Sequence, residues 1–130
     1  MSQNVLIVDD DKGIISLLEK VLSNEGYNVF TASDSEKTFK ILNNTLIQVI
    51  YLDLQLINST GIEICRKIRC NHSLIWICAI TGYAEKFEIA ECRDAGFDDY
   101  FIKPIDLDMI LKTTKIALER FNRWDILSKQ

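Results

Sequence analysis

Hydrophobic and polar positions change period along the chain in a regular alternation. Asn4–Asp9 (NVLIVD) is a short apolar run closed by acid, and Asp11–Glu25 then carries Ile14, Leu17, Leu18, Val21 and Leu22 at helical spacing. Gly26 stands where a glycine ends a helix. Tyr27–Ala32 reads as strand, and Ser33 with Glu36 forms a capping-box pattern opening a helix to about Asn43. Ile47–Asp53 is again strand. Thr60 with Glu63 repeats the capping box before a helix carrying Ile62, Ile64, Cys65 and Ile68. Leu74–Thr81 is strand, Glu85–Ala95 is helix ended by Gly96, and Asp98–Lys103 is a last strand. Asp106 caps a final helix from Leu107 to about Phe121 or further.

Strand followed by helix, about five times over, predicts an α/β fold with a parallel sheet. Several strands lack polar alternation, as expected when helices cover both faces of the sheet. No internal repeat, low-complexity tract or Pro/Gly/Ser-rich linker interrupts the pattern. The reading is one domain over residues 1–122, with 123–130 as a C-terminal tail or the start of a linker. The length of 130 residues suits one domain, and 48% hydrophobic residues suffice for a core at that size.

Charge narrows the function classes. The net charge is −4, which argues against a direct nucleic-acid binder. No apolar run approaches the roughly 20 residues that span a bilayer, and acidic residues follow the first apolar run where a secretory signal would continue apolar. The expectation is a soluble cytoplasmic protein without a membrane partner. Cys65, Cys70, Cys78 and Cys92 form no C-x-x-C pair, and His72 is the only histidine, so zinc is not expected. The plain reading is reduced structural thiols, with His72 in a loop.

In a parallel sheet all strands end at one edge, where ligands bind. The first strand ends in Asp9 and Asp10, the third in Asp53, the fourth in Thr81, and the fifth in Lys103 before Pro104. If the first and third strands are neighbours, three carboxylates converge, and a divalent cation such as Mg²⁺ relieves their repulsion. A metal, an ammonium, a hydroxyl and a carboxylate nucleophile make a phosphoryl-transfer site. Each residue also has a plain reading. Asp9 and Asp10 can cap the first helix, Asp11 can favour its dipole, Thr81 can belong to a turn, and Lys103 can be a solvated strand end. The shared edge favours the functional reading.

These motifs (VLIVDDD, VIYLDLQLINSTG, AITGYA and AGFDDYFIKPI) resemble the receiver domain of two-component response regulators, from Val5 to about Phe121. The resemblance implies a single flavodoxin-like, doubly wound domain with a five-stranded parallel sheet in the order 2-1-3-4-5 and five helices on both faces. It implies Asp53 as the phosphoacceptor. Asp10, Asp53 and the Gln55 carbonyl would bind Mg²⁺, with Asp9 binding the metal in part or holding its water. Lys103 would contact the phosphoryl oxygens, Thr81 would hydrogen-bond the attached phosphoryl group, and Tyr100 would be the aromatic switch. Gln55 and Tyr83 would tune water access to the acyl phosphate.

The implied role is a signalling switch, not a turnover enzyme, that catalyses its own phosphorylation and dephosphorylation. Its partners would be a sensor histidine kinase or histidine phosphotransfer protein, and a downstream effector on the fourth helix, last strand and last helix. Ile15 is a candidate contact for the phosphodonor, or a core residue. The chain departs from the family after Asp53, where Leu56 and Ile57 replace the usual Met-Pro, and at Gly82, where alanine is common. The alternative is a phosphorylation-independent interaction module on the same fold. A haloacid-dehalogenase-type phosphatase would want an aspartate at Gln55, and a nucleotide enzyme would want a Gly-rich phosphate loop, which is missing.

Overall fold

The computed structural model describes residues 3–82 and 85–129. Its elements are β1 (Asn4–Val8), α1 (Lys12–Asn24), β2 (Asn28–Ala32), α2 (Ser35–Asn44), β3 (Val49–Asp53), α3 (Gly61–Asn71), β4 (Trp76–Thr81), α4 (Lys86–Ala95), β5 (Asp99–Ile102) and α5 (Leu107–Ser128). The strands pair in parallel in the order β2-β1-β3-β4-β5. The order reverses between β1 and β3, so their C-terminal ends frame the crevice in which such sheets bind ligands.

Successive strand residues alternate between two cores, one on each face of the sheet. Val5, Ile7, Val49, Tyr51, Cys78 and Ile80 pack with Leu18 and Leu22 of α1 and with Ile110, Ala117 and Leu118 of α5. Leu6, Val8, Ile50, Leu52, Ile77 and Ala79 pack with Leu42 of α2, Ile64, Cys65 and Ile68 of α3, and Cys92 of α4. Both faces of the central strands are buried, which is why these strands read as unbroken apolar runs.

Several local expectations hold and others are corrected. Thr60 caps α3 and Asp106 caps α5. Gly26 (φ 94°) and Gly96 (φ 106°) follow α1 and α4 in the left-handed region that glycine adopts without strain. The cap of α2 is Asp34, not Ser33: Asp34 Oδ1 accepts from Lys37 N at 2.8 Å. Serine and aspartate are equally good caps, so sequence alone leaves their register open. Asp11 is the N-cap of α1 rather than part of its first turn, accepting from Gly13 N and Ile14 N. Leu17, placed on the apolar stripe, is 45% exposed, and Leu18 with Leu22 forms the buried line. The last helix continues past Phe121 to Ser128, because no Gly or Pro follows Pro104 to stop it.

All four cysteines are free. Burial pushes the Cys65 thiol up to about 12 and the Cys92 thiol to about 11, and it raises Cys78 well above its ordinary value. These three are protonated, packed thiols, whereas Cys70 is exposed. Among the described residues, no helix is long and apolar enough to cross a membrane.

Candidate functional site

The sheet's alternation decides which side chains can meet at its C-terminal rim. Asp9 follows Val5 and Ile7, Asp53 follows Val49 and Tyr51, and Lys103 follows Phe101, all toward the α1/α5 face. Thr81 follows Ile77 and Ala79, and it shares the opposite face with Tyr100, which packs on the core beside α4. Backbone bonds extend the ladder past the strands. Asp9 N donates to Ala32 O (3.1 Å), Leu54 N to Ile80 O (3.0 Å) and Lys103 N to Thr81 O (2.7 Å). The rim residues are therefore held by the sheet and not by free loops. The Lys103–Pro104 peptide bond is cis.

Asp9, Asp10 and Asp53 each offer a carboxylate oxygen, and these oxygens lie within 4.8 Å of one another. Asp9 is 1% exposed and Asp53 4%, while Asp10 is half-buried. Asp53 Oδ1 accepts from Gln55 N at 3.0 Å, which fixes its side chain. Asp53 Oδ2 accepts from Lys103 Nζ at 3.2 Å. Asp9 Oδ1 accepts from Asp11 N at 2.8 Å. Among the described residues Asp9 Oδ2 is fully buried with no hydrogen-bond partner, and Lys103 Nζ lies 3.5 Å from it. Burial raises the Asp9 carboxyl to about 6, opposed by the Asp11 amide and reinforced by the charge of Asp53. Burial alone would lower the Lys103 ammonium, but Asp53 and Asp9 together hold its pKa above the ordinary lysine value.

One lysine cannot neutralise three clustered carboxylates, and a buried orphan oxygen is costly. The donor set is all oxygen, which suits a hard divalent cation and excludes a thiolate or imidazole site. The residues thus fit a bound metal.

The segment after Asp53 closes without the family's proline. Gln55 bridges Thr60, Leu56 N donates to Ser59 O (3.2 Å), and Gly61 N donates to Leu54 O (3.0 Å). Leu56 packs against the core, and Ile57 is 82% exposed. Gly61, which sequence reasoning passed over, has a structural reason: a Cβ there would collide with the Asp53 carbonyl oxygen and come within 2.9 Å of Leu54 Cα. The N-terminus of α3 approaches Asp53 that closely only because residue 61 has no side chain.

On the other face, Thr81 is fully buried and its hydroxyl donates to Glu88 Oε1 at 3.2 Å. Tyr100 OH donates to the same oxygen at 3.0 Å. Burial, then Glu88, pushes the Tyr100 phenol up to about 12, with a hydrogen bond to Thr81 opposing, so Tyr100 is a neutral donor. Glu88 was not a sequence candidate, because an acid in the first turn of a helix reads as an ordinary response to its dipole. Ile15 is half-buried and packs on the α1/α5 core. Tyr83, expected to tune water access, lies outside the described residues, as does Ala84 at the start of the expected output face. A cavity of about 490 Å³ lined by Leu42, Ile47, His72, Phe121 and Asp125 lies beside the N-terminal ends of β3 and β4, remote from this chemistry.

The family model described as response regulator receiver domain matches residues 5–115. The chain is 33% identical over 120 residues to the alkaline phosphatase synthesis transcriptional regulatory protein PhoP of Bacillus subtilis, covering 92% of this chain and 50% of that protein. It is 35% identical over 123 residues to the response regulator ArlR of Staphylococcus aureus, covering 95% of this chain and 56% of that one. It therefore spans about half the length of the curated relatives it matches. Among solved structures it superimposes on a CheY-like receiver domain protein from Methanospirillum hungatei with a TM-score of 0.90, at 26% identity, covering 95% and 98% of the two chains.

Proposed function

The chain belongs to the response regulator receiver domain family, and on that premise we propose that Asp53 accepts a phosphoryl group from a phosphohistidine partner and so switches the α4–β5–α5 face. The observation that carries this is the rim itself. A nearly buried aspartate is bonded to Lys103 and faced by a second buried acid with an orphan oxygen.

Transfer forms a P–O bond to an Asp53 carboxylate oxygen and breaks the P–N bond of the donor histidine, whose ring carries a proton on its other nitrogen and so leaves as neutral imidazole. The transition state is loose, with charge over the equatorial oxygens, so positioning and electrostatics supply the catalysis. Asp53 is pre-aimed by the Gln55 amide. Lys103 already contacts Asp53 and would follow the charge as it moves onto the phosphoryl oxygens. Asp10, Asp53 and the Gln55 carbonyl would hold Mg²⁺, with Asp9 in support. When bound, the ion would neutralise the acids and the incoming phosphoryl charge. Thr81 would donate its hydroxyl to the phosphoryl group once attached, and Tyr100 would respond as the aromatic switch. Hydrolysis of the acyl phosphate at the same site resets the mark.

Residues 1–122 form the receiver unit in this reading, with 123–130 beginning a linker or tail. The donor is a sensor histidine kinase or a phosphotransfer protein, with Ile15 as a docking contact. An effector engages α4, β5 and α5. The test is chemical trapping: after incubation with a small acyl phosphate and Mg²⁺, borohydride reduction and peptide mapping should mark Asp53. A mark on another aspartate, or none, would remove the reading.

A further inference from the structure

Thr81 and Tyr100 come from different strands, yet both hydroxyls converge on a single oxygen of a third residue, Glu88 Oε1, at 3.2 and 3.0 Å. Glu88 sits in the first turn of α4. The helix dipole accounts for an acid in that turn. It does not account for a partly buried carboxylate that reaches across to two strand residues on the neighbouring sheet edge.

A threonine hydroxyl has one proton to donate. In this structure that proton is committed beside α4. A phosphoryl group on Asp53 asks for the same proton. The two acceptors are both charged, so both bonds are of the stronger, charge-assisted kind, and they compete. We propose that Glu88 is a positioning residue of the switch: its carboxylate competes with the Asp53 phosphoryl group for the Thr81 hydroxyl and ties Tyr100 to the outcome. This rests on the reading of Asp53 as the phosphoacceptor.

The consequence is a bias built into the unphosphorylated state. Glu88 holds Thr81 and Tyr100 together while Asp53 is bare. When Thr81 turns to the phosphoryl group, Glu88 loses one of two donors and keeps Tyr100. The cost of that loss is subtracted from the affinity of the site for a phosphoryl group. Removing the carboxylate should therefore strengthen phosphoryl binding, against the usual expectation that deleting a conformational contact weakens function. A ligand changes a two-state equilibrium only through such a difference between states.

The test uses beryllofluoride with Mg²⁺, a non-hydrolysable mimic of a phosphoryl group on a carboxylate, with bound probe read by fluorine NMR. Glu88→Ala should bind about tenfold more tightly than the native chain, the lower end of what a hydrogen bond to a charged group contributes. Glu88→Gln, which keeps a weaker acceptor, should fall between them. In a Thr81→Ala background both gains should vanish. A through-space effect of removing one negative charge would persist there, and so would a purely structural effect. Equal or weaker binding by Glu88→Ala, or a gain that survives Thr81→Ala, overturns the proposal and leaves Asp53 untouched. Should the native chain bind no beryllofluoride, or Asp53→Asn bind it equally, the phosphoacceptor reading falls first and this one with it. Alanine is the best helix former, and thermal unfolding confirms that each variant is folded.

Discussion

Lys103 Nζ lies 3.2 Å from Asp53 Oδ2, and the same ammonium is 3.5 Å from the orphan oxygen of Asp9. One cation thus stands between two nearly buried acids. Lys103→Ala leaves those acids facing each other. In metal-free buffer the variant should lose about 1–2 kcal/mol of stability, discounted because the lysine side chain is 25% exposed. Divalent-cation affinity should rise, since a competing positive charge is gone. Phosphorylation by a small acyl phosphate should nevertheless slow by roughly a hundredfold, the cost of losing one positioned charge at a developing anion. Thermal unfolding, Mg²⁺ titration and single-turnover labelling separate the three. A variant that binds Mg²⁺ more weakly and labels at the native rate would contradict this assignment of Lys103.

The pH dependence follows from Asp9. Its carboxyl titrates at about 6 in the folded chain, against a usual value near 3.8. Between those values the folded state holds a proton that the unfolded state has released. Stability of the metal-free protein should therefore fall as pH rises from about 4 to about 6 and then level off, by on the order of 1–3 kcal/mol. Protons and Mg²⁺ compete for the same oxygens, so Mg²⁺ affinity should drop as pH falls through about 6. In Asp9→Asn both slopes should flatten, which urea unfolding and calorimetry across this range would detect.

Gly61→Ala tests the closeness of α3 to the end of β3 at Asp53. The added methyl meets the Asp53 carbonyl and Leu54 Cα, both backbone, so neither can swing aside. The strand end must shift, at a cost of about 1–3 kcal/mol. Because Gln55 follows two residues after Asp53, Mg²⁺ affinity should weaken along with stability. Gly82→Ala is the control, since among the described residues a Cβ there meets nothing within 4 Å, and it should leave stability within about 0.5 kcal/mol of the native chain.

Arg69 is a clasp at the far edge of the sheet. Its guanidinium donates to Gly96 O (2.8 Å), Ile75 O (2.7 Å) and Asp98 Oδ2 (2.6 Å), and Asp98 Oδ2 in turn accepts from Ile77 N at 2.9 Å. This ties α3, β4 and the α4–β5 connection together. Arg69→Ala should cost about 2–4 kcal/mol by removing the donor to Gly96 O and Ile75 O and the cation that faces Asp98. Arg69→Lys should recover less than half, because an ammonium cannot span a planar fork. Asp53 labelling of the folded fraction should be unchanged, as the clasp is remote from the rim.

The sheet and its functional edge were legible because their signals are long-range sums. Four of the five apolar runs end in a chemically notable residue, and their common edge brings Asp9, Asp10, Asp53 and Lys103 together, with Thr81 on the other face of the same rim, without any one signal being specific. Finer features depended on single steps of register. Ser33 and Asp34 cap equally well, so the start of α2 was misplaced by one residue. Leu17 and Leu18 are neighbours of the same type on one helix, and the structure buries Leu18 while leaving Leu17 largely exposed. Glu88 was invisible because its other partners lie seven and twelve residues away on separate strands. Gly61 read as a helix start, and its tight approach to Asp53 exists only in three dimensions.

Intact-mass measurement of the chain after incubation with a small acyl phosphate addresses the central claim most directly, with Mg²⁺ varied and Asp53→Asn in parallel. A gain of one PO₃ group that requires the divalent cation, decays with time, and is absent in Asp53→Asn is the predicted result. No adduct at any Mg²⁺ concentration, or one that Asp53→Asn retains, would contradict it.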